Sequence, residues 1–283
     1  MIVRNTIASL IAVLSARTAA SQSYPGLSFD QTIHASRGPN GVGDTSVAVL
    51  HFLTSRGNIR VSVDGELRGS PGIPVGQRHA VILLTDSGNT VSFLNEDQKQ
   101  YISLNPIAAM QSMRKKLEAM GGQIIIDTAA TRLALDSLGP GPTVEGHPTL
   151  HYRLTTALGV SVVMRGTASG FEDESVQDIL VAADLTGLED LYGATLRLLD
   201  MGQTLGLAPE FMERTKALQK RMTGLPLRVT KVRKLSTNGR AARTATEDIA
   251  VSNIKRLQVP ASAFAIPAGY TRLATPTMPG VNQ

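Results

Sequence analysis

The chain has 283 residues, a formal charge of +5, and neither cysteine nor tryptophan. Lack of cysteine excludes disulfides, thiolate zinc sites, a cysteine nucleophile and the acylated residue of a bacterial lipoprotein. Scarce aromatic residues argue against a stacking platform for single-stranded nucleic acid, whereas the 42% hydrophobic content suffices for a sizeable core.

Arg4, an apolar block from Ile7 to Ala16 and the small residues Thr18-Ala19-Ala20 follow in the order of a secretory signal. Residues 1–20 are therefore expected to be a signal peptide, and the mature protein to be periplasmic or secreted. A buried N-terminal helix is the alternative. Bilayer crossing takes about 20 apolar residues, more than this block holds, so no transmembrane anchor is expected. Loss of Arg4 and Arg17 leaves a mild positive charge, which favours peripheral contact with an anionic membrane.

A strand-like piece, Leu27 to Ala35, precedes a Gly-Pro-Asn-Gly turn at Gly38 to Gly41. Short strands rich in Val and Ile follow at Ser46 to Thr54, Asn58 to Gly65, Ala80 to Thr85, Thr90 to Asn95 and Gln100 to Leu104. Turn residues separate them, as in consecutive antiparallel hairpins. Asn105 and Pro106 open an amphipathic helix that runs to Met120 and is closed by Gly121. Strands resume at Gln123 to Thr128, Thr131 to Leu135, Thr149 to Leu158, Val160 to Ala168 and Glu174 to Ala182, with Ala157-Leu158-Gly159 as a hairpin turn. Two more helices are expected at Leu188 to Leu205, with Thr186 and Glu189 as a capping box, and at Pro209 to Met222. Strands Leu227 to Ser236 and Arg240 to Lys255 then lead to a proline-containing tail. Residues 21–273 are expected to form one domain and 274–283 a mobile tail.

The segment Val259-Pro260-Ala261-Ser262-Ala263-Phe264-Ala265-Ile266-Pro267-Ala268-Gly269-Tyr270 resembles the C-terminal signature of the domain of unknown function 4412 family, within the lipoprotein-carrier (LolA/LolB-like) superfamily. Similar, weaker matches are Asn58 to Val63, Gln98-Lys99-Gln100-Tyr101, Gly146 to Tyr152 and Gly224-Leu225-Pro226-Leu227. The resemblance implies a mainly β (α+β) fold: a strongly curved antiparallel sheet, an open half-barrel, with about three helices covering its concave face. In such carriers the concave apolar surface receives acyl chains.

An open apolar sheet face needs a cover, either helices or a hydrophobic guest. Met110, Met113, Leu117, Met120, Leu198, Met201, Met212 and Met222, all on the expected helices, are the candidate ligand-binding residues. Methionine adapts to irregular lipid chains, although ordinary core packing uses it in the same way. Lys231 and Arg233, two apart on a strand, are the candidate headgroup-binding pair; a solvated strand-and-helix surface explains the same pattern and is the simpler reading. His147 and His151 would need at least one further ligand to hold a metal, with Glu145 the only nearby carboxylate, and surface or turn histidines are the simpler reading; Gly38 to Gly43 lacks the Gly-Lys-Ser/Thr of a phosphate loop. No metal, cofactor, nucleic-acid partner or catalytic residue is expected. The expected role is non-enzymatic binding of a lipid, acyl chain, lipidated protein or other hydrophobic ligand in the cell envelope. The alternative is a structural or protein-interaction module whose core is filled by its own helices.

Overall fold

The computed structural model describes residues 22–38, 44–64, 79–185, 220–237 and 243–274, together with 214, 217 and 218. The elements are β1 (Ser23–Gly38), β2 (Asp44–Ser55), β3 (Asn58–Asp64), β4 (His79–Thr85), β5 (Thr90–Asn95), β6 (Gln100–Leu104), α1 (Pro106–Ala119), β7 (Gly122–Pro140), β8 (Thr149–Met164), β9 (Thr167–Ala182), β10 (Leu225–Thr237), β11 (Arg243–Pro260) and β12 (Thr271–Arg272). Short 3-10 turns occupy Asp86–Gly88 and Ala261–Phe264.

All strands join one sheet in the order β12-β6-β5-β4-β3-β2-β1-β11-β10-β9-β8-β7. Pairing is antiparallel except where β12 lies parallel to β6. The chain builds outward from β1 to β6, crosses through α1 to the opposite edge, and returns from β7 to β11 beside β1. In a flat array β6 and β7 would stand about 48 Å apart, at roughly 4.8 Å per strand. The connection through α1 spans at most about 40 Å. The sheet therefore bends, but it does not close.

The expected half-barrel with about three helices over its concave face is corrected by this architecture. The fold is mainly β, and α1 is the single α-helix found among the described residues with defined ends. It packs principally against β7, where Leu117 fills the space beside Gly122: a Cβ on that glycine would lie 2.6 Å from Leu117 Cδ1. A helix seated on an edge strand covers little of the sheet. The helix expected at Leu188 to Leu205 lies outside the described residues, and so does most of the one at Pro209 to Met222, of which Arg214, Ala217 and Leu218 are helical. No helix among the described residues is long and apolar enough to cross a membrane.

Two further corrections concern local pairing. The expected strands at Gln123 to Thr128 and Thr131 to Leu135 are one strand, β7, with a bulge between Asp127 and Arg132. Asp127 Oδ1 accepts from the N–H groups of Ala129 and Ala130, an Asx-type turn that supports the bulge. The expected turn at Ala157-Leu158-Gly159 is the middle of β8, where Leu158 is buried; the hairpin turns at Arg165-Gly166, both at positive φ as a tight right-twisting hairpin demands.

One face of the sheet, here the inner face, carries a nearly continuous apolar surface. Leu27, Phe29, Leu50, Phe52, Ile59, Val61, Val63, Ile82, Leu84 and Val91 cover it from β1 to β5, and Leu225, Leu227 and Val251 extend it onto β10 and β11. Phe29 and Phe52, opposite each other on β1 and β2, stack with ring centroids 4.8 Å apart. A second cluster of Leu135, Leu154, Ile179, Val181, Met222, Val229 and Ile249 continues the same face toward β7, and Ile33 touches both. On the outer face of β4 to β6, Val81, Leu83, Leu94 and Tyr101 are covered by Ile266 and Tyr270 of the C-terminal segment. The C-terminal segment thus acts as a strap over the sheet. Gly224, at φ +115°, admits β10 beside β9; a Cβ there would overlap the Ala182 carbonyl oxygen.

Candidate functional site

Side chains alternate along β10, so Leu225, Val229, Lys231 and Arg233 share the inner face despite a bulge near Leu227. Lys231 is only 8% exposed while Val232, on the outer face, is 39% exposed. A desolvated cation needs a partner, and each of the two has one. Lys231 Nζ lies 3.8 Å from Glu247 on β11. Arg233 Nε donates to Asp173 Oδ1 on β9 at 2.7 Å, and the second guanidinium nitrogen donates to Asp173 Oδ2. Ser175 and Gln177, opposite Arg233 and Lys231 on β9, are also buried; Ser175 Oγ and Thr156 Oγ1 are hydrogen-bonded at 2.7 Å.

The inner face of β8 to β11 therefore grades from hydrocarbon to a desolvated ionic band within a few residues of one strand. Gln31 sits in register between Leu50 and Val251, both of the first apolar cluster. Its Oε1 is buried without a hydrogen-bond donor, alone in this respect among the described residues.

The sequence-derived candidates are dispersed. Met222 is buried in the cluster of Leu154, Ile179 and Val229, and Val229 precedes Lys231 by two on the same face, so Met222, Lys231 and Arg233 belong to one surface. Leu117 stands at the start of β7, and Met120, at the end of α1, is exposed. The backbone of Met110 and Met113 belongs to α1, and their side chains are outside the described set. Leu198, Met201 and Met212 lie outside the described residues. Reading β10 as a possible solvated face missed that Lys231 and Arg233 point inward. The acids that neutralise them, Glu247 and Asp173, are distant in sequence, and no local signal marks them.

The outer face of β8 to β11 is ionic and wet. Arg153 donates to both oxygens of Asp178 at 2.9 and 3.1 Å, and His151 Nε2 is 3.2 Å from the same carboxylate. Arg228 reaches Asp248, His147 pairs with Asp184 at 2.7 Å, and His51 with Asp30 at 2.6 Å. Asn253 Nδ2 also donates to Asp30. Burial opposes ionisation of Asp30, but the contacts from Asn253 and His51 outweigh it and hold its carboxyl below the usual range. The Arg153 contact does the same for Asp178, and the His147 contact for Asp184. None of these groups gathers three metal-ligating side chains among the described residues. No family model matches the chain, and no curated protein matches it.

Proposed function

We propose that this is an exported, non-enzymatic binding protein of the cell envelope that shelters a lipid, an acyl chain or a comparable amphipathic ligand. The reading is supported above all by the inner face of β8 to β11, where buried hydrocarbon runs directly into the Lys231–Glu247 and Arg233–Asp173 band. A hydrocarbon chain admitted to this face would gain roughly 25 cal/mol for each Å² of its own apolar surface removed from water, since Leu154, Ile179 and Val229 are themselves already buried. Its polar end then meets groups able to exchange one ionic partner for another. Lys231 and Arg233 would act on an anionic headgroup only by loosening Glu247 and Asp173, which makes recognition selective rather than a matter of free positive charge.

The alternative reading, a structural or protein-interaction module with a self-filled core, is favoured by one observation: Leu154, Ile179, Val181 and Leu227 are already fully sequestered without any ligand. Native mass spectrometry of the gently purified protein, with competition by a fluorescent fatty acid, separates the two. A bound lipid displaced by the fatty acid supports the binding protein. An empty protein that takes up no fatty acid overturns it in favour of the module.

A further inference from the structure

β7 ends the strand order, so one side of its backbone faces no strand among the described residues. Open edges template further pairing, and proteins blunt them with bulges. β7 has two irregularities, between Asp127 and Arg132 and between Ser137 and Gly139. The stretch between them, Arg132-Leu133-Ala134-Leu135-Asp136-Ser137, pairs regularly with β8 and leaves a straight edge. Arg132, Ala134 and Asp136 are exposed on the outer face, while Leu133 and Leu135 belong to the inner apolar cluster. Among the described residues the Arg132 side chain has neither a hydrogen bond nor an ion pair. Asp136 lies opposite Arg153, whose guanidinium is already held by Asp178.

We propose that the partner for this edge is a second copy of the chain, paired antiparallel through β7 about a two-fold axis at Ala134. In that register Arg132 faces Asp136 of the partner subunit, and the symmetry repeats the contact. Leu133 faces Leu135 of the partner subunit on the inner side, so the apolar face runs unbroken from one sheet into the next. A slip of one residue puts the leucines on the wrong face. A slip of two sets Ala134 opposite Asp136 and loses the charge match. The stretch is thus self-complementary in one register, which an unrelated strand has no reason to satisfy. The inference is independent of any lipid ligand, since it uses the edge rather than the covered inner face.

Sedimentation equilibrium of the full chain tests it. The native protein should dimerise with rising concentration. Arg132→Asp and Asp136→Arg should each weaken the dimer by about tenfold or more, because each sets like charges opposite one another twice. Mixing the two variants should restore association, since all facing charges are then opposite, and the double variant should dimerise by itself. Circular dichroism shows that each variant remains folded. A native chain that stays monomeric overturns the proposal, as does a dimer indifferent to both reversals, which would place the contact on another surface.

Discussion

Arg233 on β10 is clasped by Asp173, its diagonal neighbour on β9, on the inner sheet face that four residues earlier bears the buried Val229. A guanidinium in that position is retained only while its carboxylate is present, because an unpaired ion there would lose its hydration without compensation. Arg233→Met or Asp173→Leu alone should therefore destabilise the fold by about 2–4 kcal/mol. The double variant should recover most of the loss, since it removes both charges. Urea unfolding of the three variants measures the coupling; strictly additive losses would show that the two groups act independently.

Gln31 sets an unpartnered acceptor between the apolar Leu50 and Val251. Gln31→Leu should raise stability by about 1 kcal/mol, as the desolvated oxygen disappears and hydrocarbon takes its place. Thermal unfolding reads the change. A lower midpoint would mean that Oε1 is satisfied in solution by a donor, and the variant's lipid content would then distinguish water from ligand.

Phe264, in the 3-10 turn of the C-terminal strap, is buried although it stands in an irregular segment. Phe264→Ala should cost about 3 kcal/mol, the usual loss for a buried aromatic ring. It should also release the strap from β4 and β5, which faster amide exchange at Leu83 and Leu94 would reveal. Unchanged exchange would assign the hold to Ile266 and Tyr270 alone.

The folded protein holds Asp30, Asp178 and Asp184 below the ordinary carboxylate value of 3.8. Between the folded and unfolded values the unfolded chain binds more protons, so stability rises with pH there. The contribution is complete above about 3.8, the unfolded value, and is lost as pH falls through the lower folded values. Asp178→Asn should accordingly weaken the fold near neutral pH, and the gap to the native protein should narrow in acid below that point. Unfolding curves recorded across this range check the sign; a gap that widens in acid would contradict it.

Several elements were legible from local chemistry. Thr90–Asn95 and Gln100–Leu104 match their expected bounds, and α1 begins at Pro106 with Asn105 Oδ1 accepting from the Ala108 N–H. Turn residues and caps act within four or five positions, so they are written in adjacent residues. The hairpin at Arg165-Gly166 was hidden because Gly159, flanked by Leu158 and Val160, imitates a turn in a strand long enough to contain it. The merging of β7 was hidden in the same way, since a bulge interrupts alternation without ending a strand.

By itself the sequence determined the cysteine-free chemistry, the antiparallel hairpins from β2 to β6 and the apolar periodicity that gives the sheet a buried face. Only the tertiary structure decided that Lys231 and Arg233 lie on that face rather than in water, that the final segment straps the outside of β4 and β5, and that β7 ends the strand order among the described residues. Alternation states which residues share a face, but not which face is covered. That is settled by strands brought together from opposite ends of the chain, as when Asp173 and Glu247 arrive on either side of β10.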